Sequence, residues 1–355
     1  METAIVLTGG LLSTSDAKTA HGLIRESERF KIIGIVDEKD AGSDAGILLD
    51  GKNRDIPVLK NIQEALALKP DYCIIGVAIT GGILPESMLE DVKAAIRNKV
   101  SIVNGLHDYL SDRPDVAELA TENDVQLIDI RKPKARADLH FWTGDILNLQ
   151  TPVVAILGTD CALGKRTTTR FLVSACAEQG LDAKMIYTGQ TGWLQGGKHG
   201  FIFDSTLNDF VAGELEHAIL SCAEELNPDL ILIEGQAALR NPSGPCGSEL
   251  LISGRAKNVV LIHSPKRKFY DHHEPFGKIP DIESEIQLIE LYGSRVIAVA
   301  LNTEDCTEEE AREFKSEYEN KLNLPVILPL FEGCALLVPM LKEIINDNKI
   351  ASGIQ

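Results

Sequence analysis

The sequence predicts an α/β protein built from two parallel-sheet domains, and three observations carry that prediction. Short β-branched runs alternate with helical patterns along most of the chain, the mark of strand–helix–strand crossovers in a parallel sheet. At 355 residues the chain is too long for one hydrophobic core. Near its middle, Val153-Val-Ala-Ile-Leu-Gly158-Thr159-Asp160-Cys-Ala-Leu-Gly164-Lys165-Arg166-Thr167-Thr168-Thr169 joins an apolar strand to a helix-compatible segment through a glycine-bounded loop.

In the first part, Ala4 to Leu7 reads as a strand, Ala17 to Glu26 as a helix, and Lys31 to Val36 as a strand ending at Asp37. Asp71 to Val77 is a third strand, Pro85 to Asn98 a helical pattern, and Val100 to Val103 and Val125 to Ile130 are further strands. This is a Rossmann-like pattern. Its first turn, Thr8-Gly9-Gly10-Leu-Leu-Ser-Thr, lacks the third glycine of a dinucleotide fingerprint, although Asp37 stands where a ribose-binding acid would. A scaffold without bound NAD is therefore preferred over a working NAD site. Thr80-Gly81-Gly82 follows the third strand and is placed on the same crevice.

Arg131 to Gln150 carries prolines and mixed charges without periodicity and is read as the connection between domains. The expected division is 1–150, Rossmann-like with its connecting segment, and 151–355, P-loop NTPase-like. In the second domain Lys165 to Gln179 is a helix, Ala183 to Tyr187 a strand, Glu214 to Leu226 a helix, and Leu230 to Ile233 a strand ending at Glu234. Asn258 to Ile262, Arg295 to Leu301 and Pro325 to Leu328 complete the sheet.

Composition narrows the function classes. The chain is 44% hydrophobic and 25% charged, as ordinary globular proteins are. A net charge of −18 opposes binding to nucleic acid or anionic lipid, so the expected partner is a small-molecule substrate, with homo-oligomers common among enzymes of this size. Two basic islands, 131–136 and 266–268, interrupt the acidity. Seven scattered cysteines without a Cys-x-x-Cys pair suit a reducing compartment and give no zinc framework. The N-terminus lacks a basic region and its apolar run is too short for a signal peptide, and no apolar stretch spans a bilayer, so the expected location is cytoplasmic.

Four loops at strand C-termini of the second domain are candidates for chemistry, because ligands bind at that edge of an open α/β sheet. In the first, Gly158, Thr159, Asp160, Gly164, Lys165, Arg166, Thr167 and Thr168 form a polyphosphate cradle of backbone amides, helix N-terminus and ammonium. Five residues rather than four separate the two glycines, and Arg166 stands where a Mg²⁺-binding hydroxyl usually follows the lysine. The second, Tyr187 to Gly200, holds five glycines in fourteen residues; it is read as backbone lying close to a ligand, with Trp193 as a stacking surface and Thr188, Gln190 and Thr191 as contacts. The third places Glu234 in the Walker B position, followed by Gly235, Gln236, Arg240 and Asn241. The fourth, His263 to Glu274, gathers His263, Arg267, Asp271 and His272, residue types suited to anion clamping and proton transfer. No metal site is expected, because adjacent histidines on an extended chain point in different directions.

The P-loop domain resembles dethiobiotin synthetase in its glycine spacing, in Gly158-Thr159-Asp160 and in Glu234-Gly235; Arg166 departs from that pattern. The whole chain resembles a group that joins a Rossmann-like domain to a P-loop domain carrying Gly-Lys-Arg-Thr-Thr, Thr-Gly-Gln-Thr-Gly and Glu-Gly-Gln, here Gly164 to Thr168, Thr188 to Gly192 and Glu234 to Gln236. That group, first described as a domain of unknown function, includes the DgcN-type D-glutamate N-acetyltransferases. The resemblance implies acetyl transfer from acetyl-CoA to the amine of D-glutamate, in D-amino-acid catabolism. On that reading Arg166 adds to the phosphate cradle, Arg240 and Arg267 receive the acceptor's carboxylates, and Glu234, His263 or His272, with Asp271 beside them, handle the proton. Two rivals stand beside it: an ATP- and Mg²⁺-dependent ligase or kinase with Thr167 supplying the metal hydroxyl, and a nucleotide-sensing regulator without turnover.

Overall fold

A computed structural model describes residues 1–351 of the chain, which fall into two compact units. The first comprises Met1–Lys134 together with Gly189–Lys198; the second comprises Ala135–Thr188 and the residues from His199 onward. The chain therefore passes between units three times.

The first unit is a sheet of β1 (Glu2–Leu7), β2 (Phe30–Val36), β3 (Val58–Leu59), β4 (Tyr72–Ile75), β5 (Ser101–Asn104) and β6 (Leu127–Asp129). Its order is β3-β2-β1-β4-β5-β6 with every pair parallel, the Rossmann order, whose topological switch point lies between β1 and β4. The two-residue β3 had no readable run of its own, since Pro57 directly precedes it. Alternation along the strands sends Ile5 and Leu7 to one face and Ala4 and Val6 to the other. The first face is covered by helices Ile62–Leu66, Glu86–Arg97 and Pro114–Asn123, through residues such as Ile62, Val92, Ile96 and Val116.

The second face is where the expectation for Tyr187–Gly200 is corrected. Helix Lys18–Arg25 covers part of it through Ala20, Leu23 and Ile24, and a short helix, Gln190–Leu194, covers more. Leu194 is fully buried in the same cluster as Val6, Ala20, Ile74 and Val103, with Trp193 packed against it. Of this segment, residues 189–198 pack into the first unit, whereas Tyr187, Thr188, His199 and Gly200 stay with the second. Its glycines serve close packing: a Cβ on Gly196 (φ +107°) would sit 2.8 Å from that of Glu28.

The second unit contains β7 (Val153–Gly158), β8 (Ala183–Ile186), β9 (Leu230–Glu234), β10 (Asn258–His263), β11 (Arg295–Leu301) and β12 (Val326–Ile327), again all parallel, in the order β12-β11-β10-β7-β9-β8. β7 is flanked on both sides and each of its six residues is buried, so its continuous apolar run follows from its central place. Parallel pairing brings the ends of β7, β8, β9 and β10 to one edge, where the four loops emerge.

The expected boundary at residue 150 shifts to 134/135. Residues 139–147 lie on helix Asn208–Leu226 because two buried glutamates of that helix need donors. Glu214 accepts from His140 N (3.0 Å) and Nδ1 (2.8 Å), while Glu216 accepts from the backbone of Thr143, Gly144 (2.9 Å) and Ile146 (3.1 Å). Gly213 permits the crossing, since a Cβ there would fall 2.0 Å from the His140 carbonyl oxygen. Among the described residues no helix is long and apolar enough to cross a membrane.

Candidate functional site

The phosphate cradle is built as its residue types require. β7 ends at Gly158, the loop turns through Ala162 (φ +52°) and Gly164 (φ +89°), and helix Lys165–Glu178 begins directly. Gly164 stands at a left-handed position that a side chain would strain. Lys165 is 6% exposed and its Nζ donates to the carbonyls of Asp160 (2.6 Å) and Ala237 (2.7 Å). Burial lowers its pKa from the ordinary lysine value. Its aliphatic stem lies against two glycines: a Cβ on Gly158 would be 3.3 Å from Nζ, and one on Gly235 would be 3.0 Å from Cδ and 2.2 Å from the Ile156 carbonyl oxygen. Gly235, directly after β9, thus makes room for the lysine of the neighbouring loop. Arg166 and Thr167 are half-buried in the first helical turn, and buried Thr168 donates its N–H to Gly164 O (2.9 Å).

Asp160 is the hub of the loop. Fully buried, it accepts from Asn241 Nδ2 (2.8 Å), Arg267 Nη1 (2.9 Å) and the Asp271 N–H (2.9 Å). Thr159 Oγ1 meets His263 Nδ1 at 3.0 Å, and the other ring nitrogen meets the Tyr318 hydroxyl at 3.1 Å. Burial, helped by the charge of Lys321, pushes the His263 pKa down to about 4, so this ring is neutral at pH 7.

Both expected substrate-binding arginines are matched within the protein. Arg267 pairs with both oxygens of Glu304 and donates to the Cys161 carbonyl as well as to Asp160. Arg240 donates to Glu285 (2.6 Å) and Ser284 (2.9 Å), and burial raises the Glu285 carboxyl. His272 is exposed and lies 3.2 Å from Glu304. Asp271 and His272 are consecutive non-glycine residues with positive φ, +52° and +57°. Asp271 accepts from Asn241 (3.0 Å) and Ser243 (2.8 Å). Its burial, which would raise the carboxyl, is outweighed by donors from Asn241, Ser243 and Cys161, which hold it below the ordinary value.

At the other side of the cradle, Glu234 closes β9 at 5% exposure. Its Oε2 accepts the Thr188 N–H (3.1 Å), its carbonyl accepts the Thr188 hydroxyl (2.8 Å), and Gln236 Nε2 donates to that hydroxyl (2.9 Å). Thr188 and Glu234 therefore form one corner with Lys165 and Gly235. Gln190 and Thr191 do not join it: both are buried in the first unit, where Thr191 Oγ1 meets Thr19 Oγ1 at 3.2 Å and Gln190 packs on Gly105.

Sequence reasoning passed over Asn241 as a site residue, although it ties Asp160, Asp271 and Ser243 together. It also missed Glu304, far away in sequence. Asp160, Cys161 and Asp271 offer ligand atoms within 4.8 Å of one another. The set does not suit a resident metal. Its carboxylates already accept from Asn241, Arg267 and Ser243, and burial pushes the Cys161 thiol up to about 11. In the first unit Asp37, at the ribose position, is likewise spent. It is 1% exposed and accepts from Thr8 Oγ1 (2.6 Å) and from the N–H groups of Leu12, Lys39 and Asp40.

A Rossmann-ordered unit followed in the chain by a unit with a central-strand P-loop and an acid ending the adjacent strand defines a two-domain α/β protein of the P-loop class. Residues 140–338 match the P-loop domain of the family described as domain of unknown function DUF1611, and residues 38–133 match its Rossmann-like N-terminal domain. The chain belongs to the DUF1611 family. Two curated relatives are each named D-glutamate N-acetyltransferase. The one from Pseudoalteromonas sp is 29% identical over 284 residues, covering 78% of this chain and 83% of its own. The one from Tritonibacter scottomollicae is 27% identical over 326 residues, covering 88% and 93%. The crystal structure of a DUF1611 family protein from Anabaena variabilis is similar with a TM-score of 0.89 at 28% identity, over 97% of this chain and 100% of that one.

Proposed function

We propose that the protein is an N-acetyltransferase that moves acetyl from acetyl-CoA to the amine of D-glutamate, in a cytoplasmic route of D-amino-acid catabolism and as a homo-oligomer. The observation that carries this reading is the alignment of two relatives of that name over 78% and 88% of the chain. The cradle is compatible with it. Coenzyme A brings a diphosphate and a further phosphate, and the helix amides, Lys165 and Arg166 supply donors and charge without calling for a Mg²⁺ hydroxyl beside the lysine.

In the proposed reaction the acceptor's nitrogen lone pair attacks the thioester carbonyl carbon, the C–S bond breaks, the thiolate takes a proton and an amide remains. A base must first remove a proton from the ammonium. We assign that role to Glu234. His263 is neutral but holds Thr159 with one nitrogen and Tyr318 with the other, and His272 pairs with Glu304. Arg240 and Arg267, neutralised by Glu285, Glu304 and Asp160, build the walls of the site and do not receive the acceptor's carboxylates. The Thr188 corner holds the base in place.

The test is free-thiol release from acetyl-CoA with D-glutamate, with L-glutamate and with no acceptor. Release that requires the D-isomer supports the proposal. No release with any amino acid, together with Mg²⁺-dependent ATP hydrolysis, overturns it in favour of ligase or kinase chemistry; tight nucleotide binding without turnover overturns it in favour of a regulator.

A further inference from the structure

The segment 189–198 belongs to the first unit while the residues that flank it, Thr188 and His199, belong to the second, and this gives the Rossmann-like unit a role. Within the first unit the segment is held from several sides. Arg29 Nε donates to the Trp193 carbonyl (2.8 Å), its Nη2 donates to the Gly197 carbonyl (3.3 Å), and its guanidinium lies 4.1 Å over the Trp193 ring. The Glu28 N–H donates to Gln195 O (3.0 Å). Gln195, 3% exposed, donates from Nε2 to the carbonyls of Gly22 (2.8 Å) and Glu26 (3.0 Å), ending helix Lys18–Arg25. Leu194 completes the apolar face. Through Thr19 and Gly105 the helix Gln190–Leu194 reaches elements that follow β1 and β5, beside the switch point where a dinucleotide would bind.

Within the second unit the neck of the segment is closed. Tyr187 N donates to His199 O (3.2 Å) and Phe203 N donates to Thr188 O (2.9 Å). A Cβ on Gly200 would meet Tyr187 O at 2.2 Å, so that approach admits no side chain. The first residue of the neck is Thr188, whose N–H and hydroxyl both bond to Glu234. Thr188, the residue that orients the assigned base, is joined directly to Gly189, the first residue of the segment.

We infer that the Rossmann-like unit serves as the anchor of this segment and not as a nucleotide-binding module, and that Arg29 is a positioning residue for the acetyl-transfer site, acting through 193–197 on Thr188 and thereby on Glu234. Its side chain touches no reacting atom. Arg29 is the residue that bridges both ends of the 193–197 turn, so its loss frees the turn while leaving the Leu194 anchor and the P-loop in place. The inference rests on the acetyltransferase reading given above.

The experiment compares wild type, Arg29→Ala and Arg29→Lys in a Trp142→Phe background, which leaves Trp193 as the sole tryptophan. Acrylamide quenching of Trp193, thermal midpoint, kcat and KM for acetyl-CoA are measured on each. Arg29→Ala is expected to raise the quenching and lower kcat by on the order of ten- to a hundred-fold, with KM for acetyl-CoA within about two-fold, because misplacing a catalytic group acts on turnover. Arg29→Lys keeps the cation over the ring but cannot span both carbonyls, and is expected to restore part of kcat. Unchanged kcat in Arg29→Ala, whether or not the thermal midpoint falls, would overturn the positioning role. A rise in KM for acetyl-CoA equal to the loss in kcat/KM would overturn it as well. Wild-type protein that transfers no acetyl group would remove the acetyltransferase reading instead, and the two failures are thus told apart.

Discussion

His263 makes the stability of the second unit depend on pH in a way that can be worked out. Its pKa falls from 6.5 to about 4 on folding, chiefly because the ring is buried. Between those values the unfolded chain binds a proton that the folded chain refuses. The contribution of the neutral ring is therefore complete above pH 6.5 and is lost as pH falls toward 4. At ~1.36 kcal/mol per pH unit, the full loss is roughly 3 kcal/mol, and about 2.5 kcal/mol of it has gone by pH 4.5. Urea unfolding followed through Trp142, in a Trp193→Phe background, reports the second unit. His263→Asn keeps a polar partner for Thr159 but removes the titrating group, so its stability should fall by about 2 kcal/mol less than wild type between pH 7.5 and 4.5. Equal pH slopes for the two proteins would show that the ring takes its proton in the folded state, and the assignment of a buried neutral imidazole would be wrong.

Other perturbations separate structural from chemical roles. Gly235→Ala places a methyl 2.2 Å from the Ile156 carbonyl oxygen and 3.0 Å from Lys165 Cδ; we expect a loss of about 1–3 kcal/mol or more in a melting experiment, with weakened acetyl-CoA binding because the lysine is displaced. Arg240→Met strands the buried carboxylate of Glu285, so the thermal midpoint should fall as for a loss of roughly 3–5 kcal/mol, while KM for D-glutamate stays unchanged; a raised KM would return Arg240 to the substrate site. Lys165→Ala should weaken acetyl-CoA by about 1.5–3 kcal/mol in calorimetry through loss of a charge-assisted contact and leave D-glutamate affinity alone. Glu234→Gln should lower kcat by roughly 10²–10⁴-fold in the thiol assay if it is the base.

Most strands of both sheets, though not β3, were legible because parallel strands buried on both faces read as unbroken apolar runs, as in Val153 to Gly158 and Leu230 to Ile233. The P-loop was legible for a different reason: glycine at a left-handed position and a lysine at a helix start are local requirements. What the sequence left unread was anything set by distant partners. Nothing in Arg240 or Arg267 announces that Glu285 and Glu304 will neutralise them, since the partners lie 45 and 37 residues away. The glycines of 189–200 suggested a ligand, yet Gly196 and Gly200 are small because Glu28 and Tyr187 press on them. Asp160 looked like part of an anion site, and its carboxylate turns out to organise three loops from beneath.

The discontinuity of the first unit also constrains how the chain is made. A ribosome that has delivered Lys134 has delivered all six strands of that sheet, but Trp193 and Leu194, which cover one of its faces, belong to sequence still unsynthesised. Sixty-four more residues, from 135 to 198, must appear first. At 5–20 residues per second the nascent sheet waits roughly 3–13 s with that face incomplete. During this interval β7 and β8 have already been released, so the P-loop itself is translated before the domain that precedes it can close. Order of synthesis and order of completion are reversed, and the N-terminal part of this protein is finished by its successor.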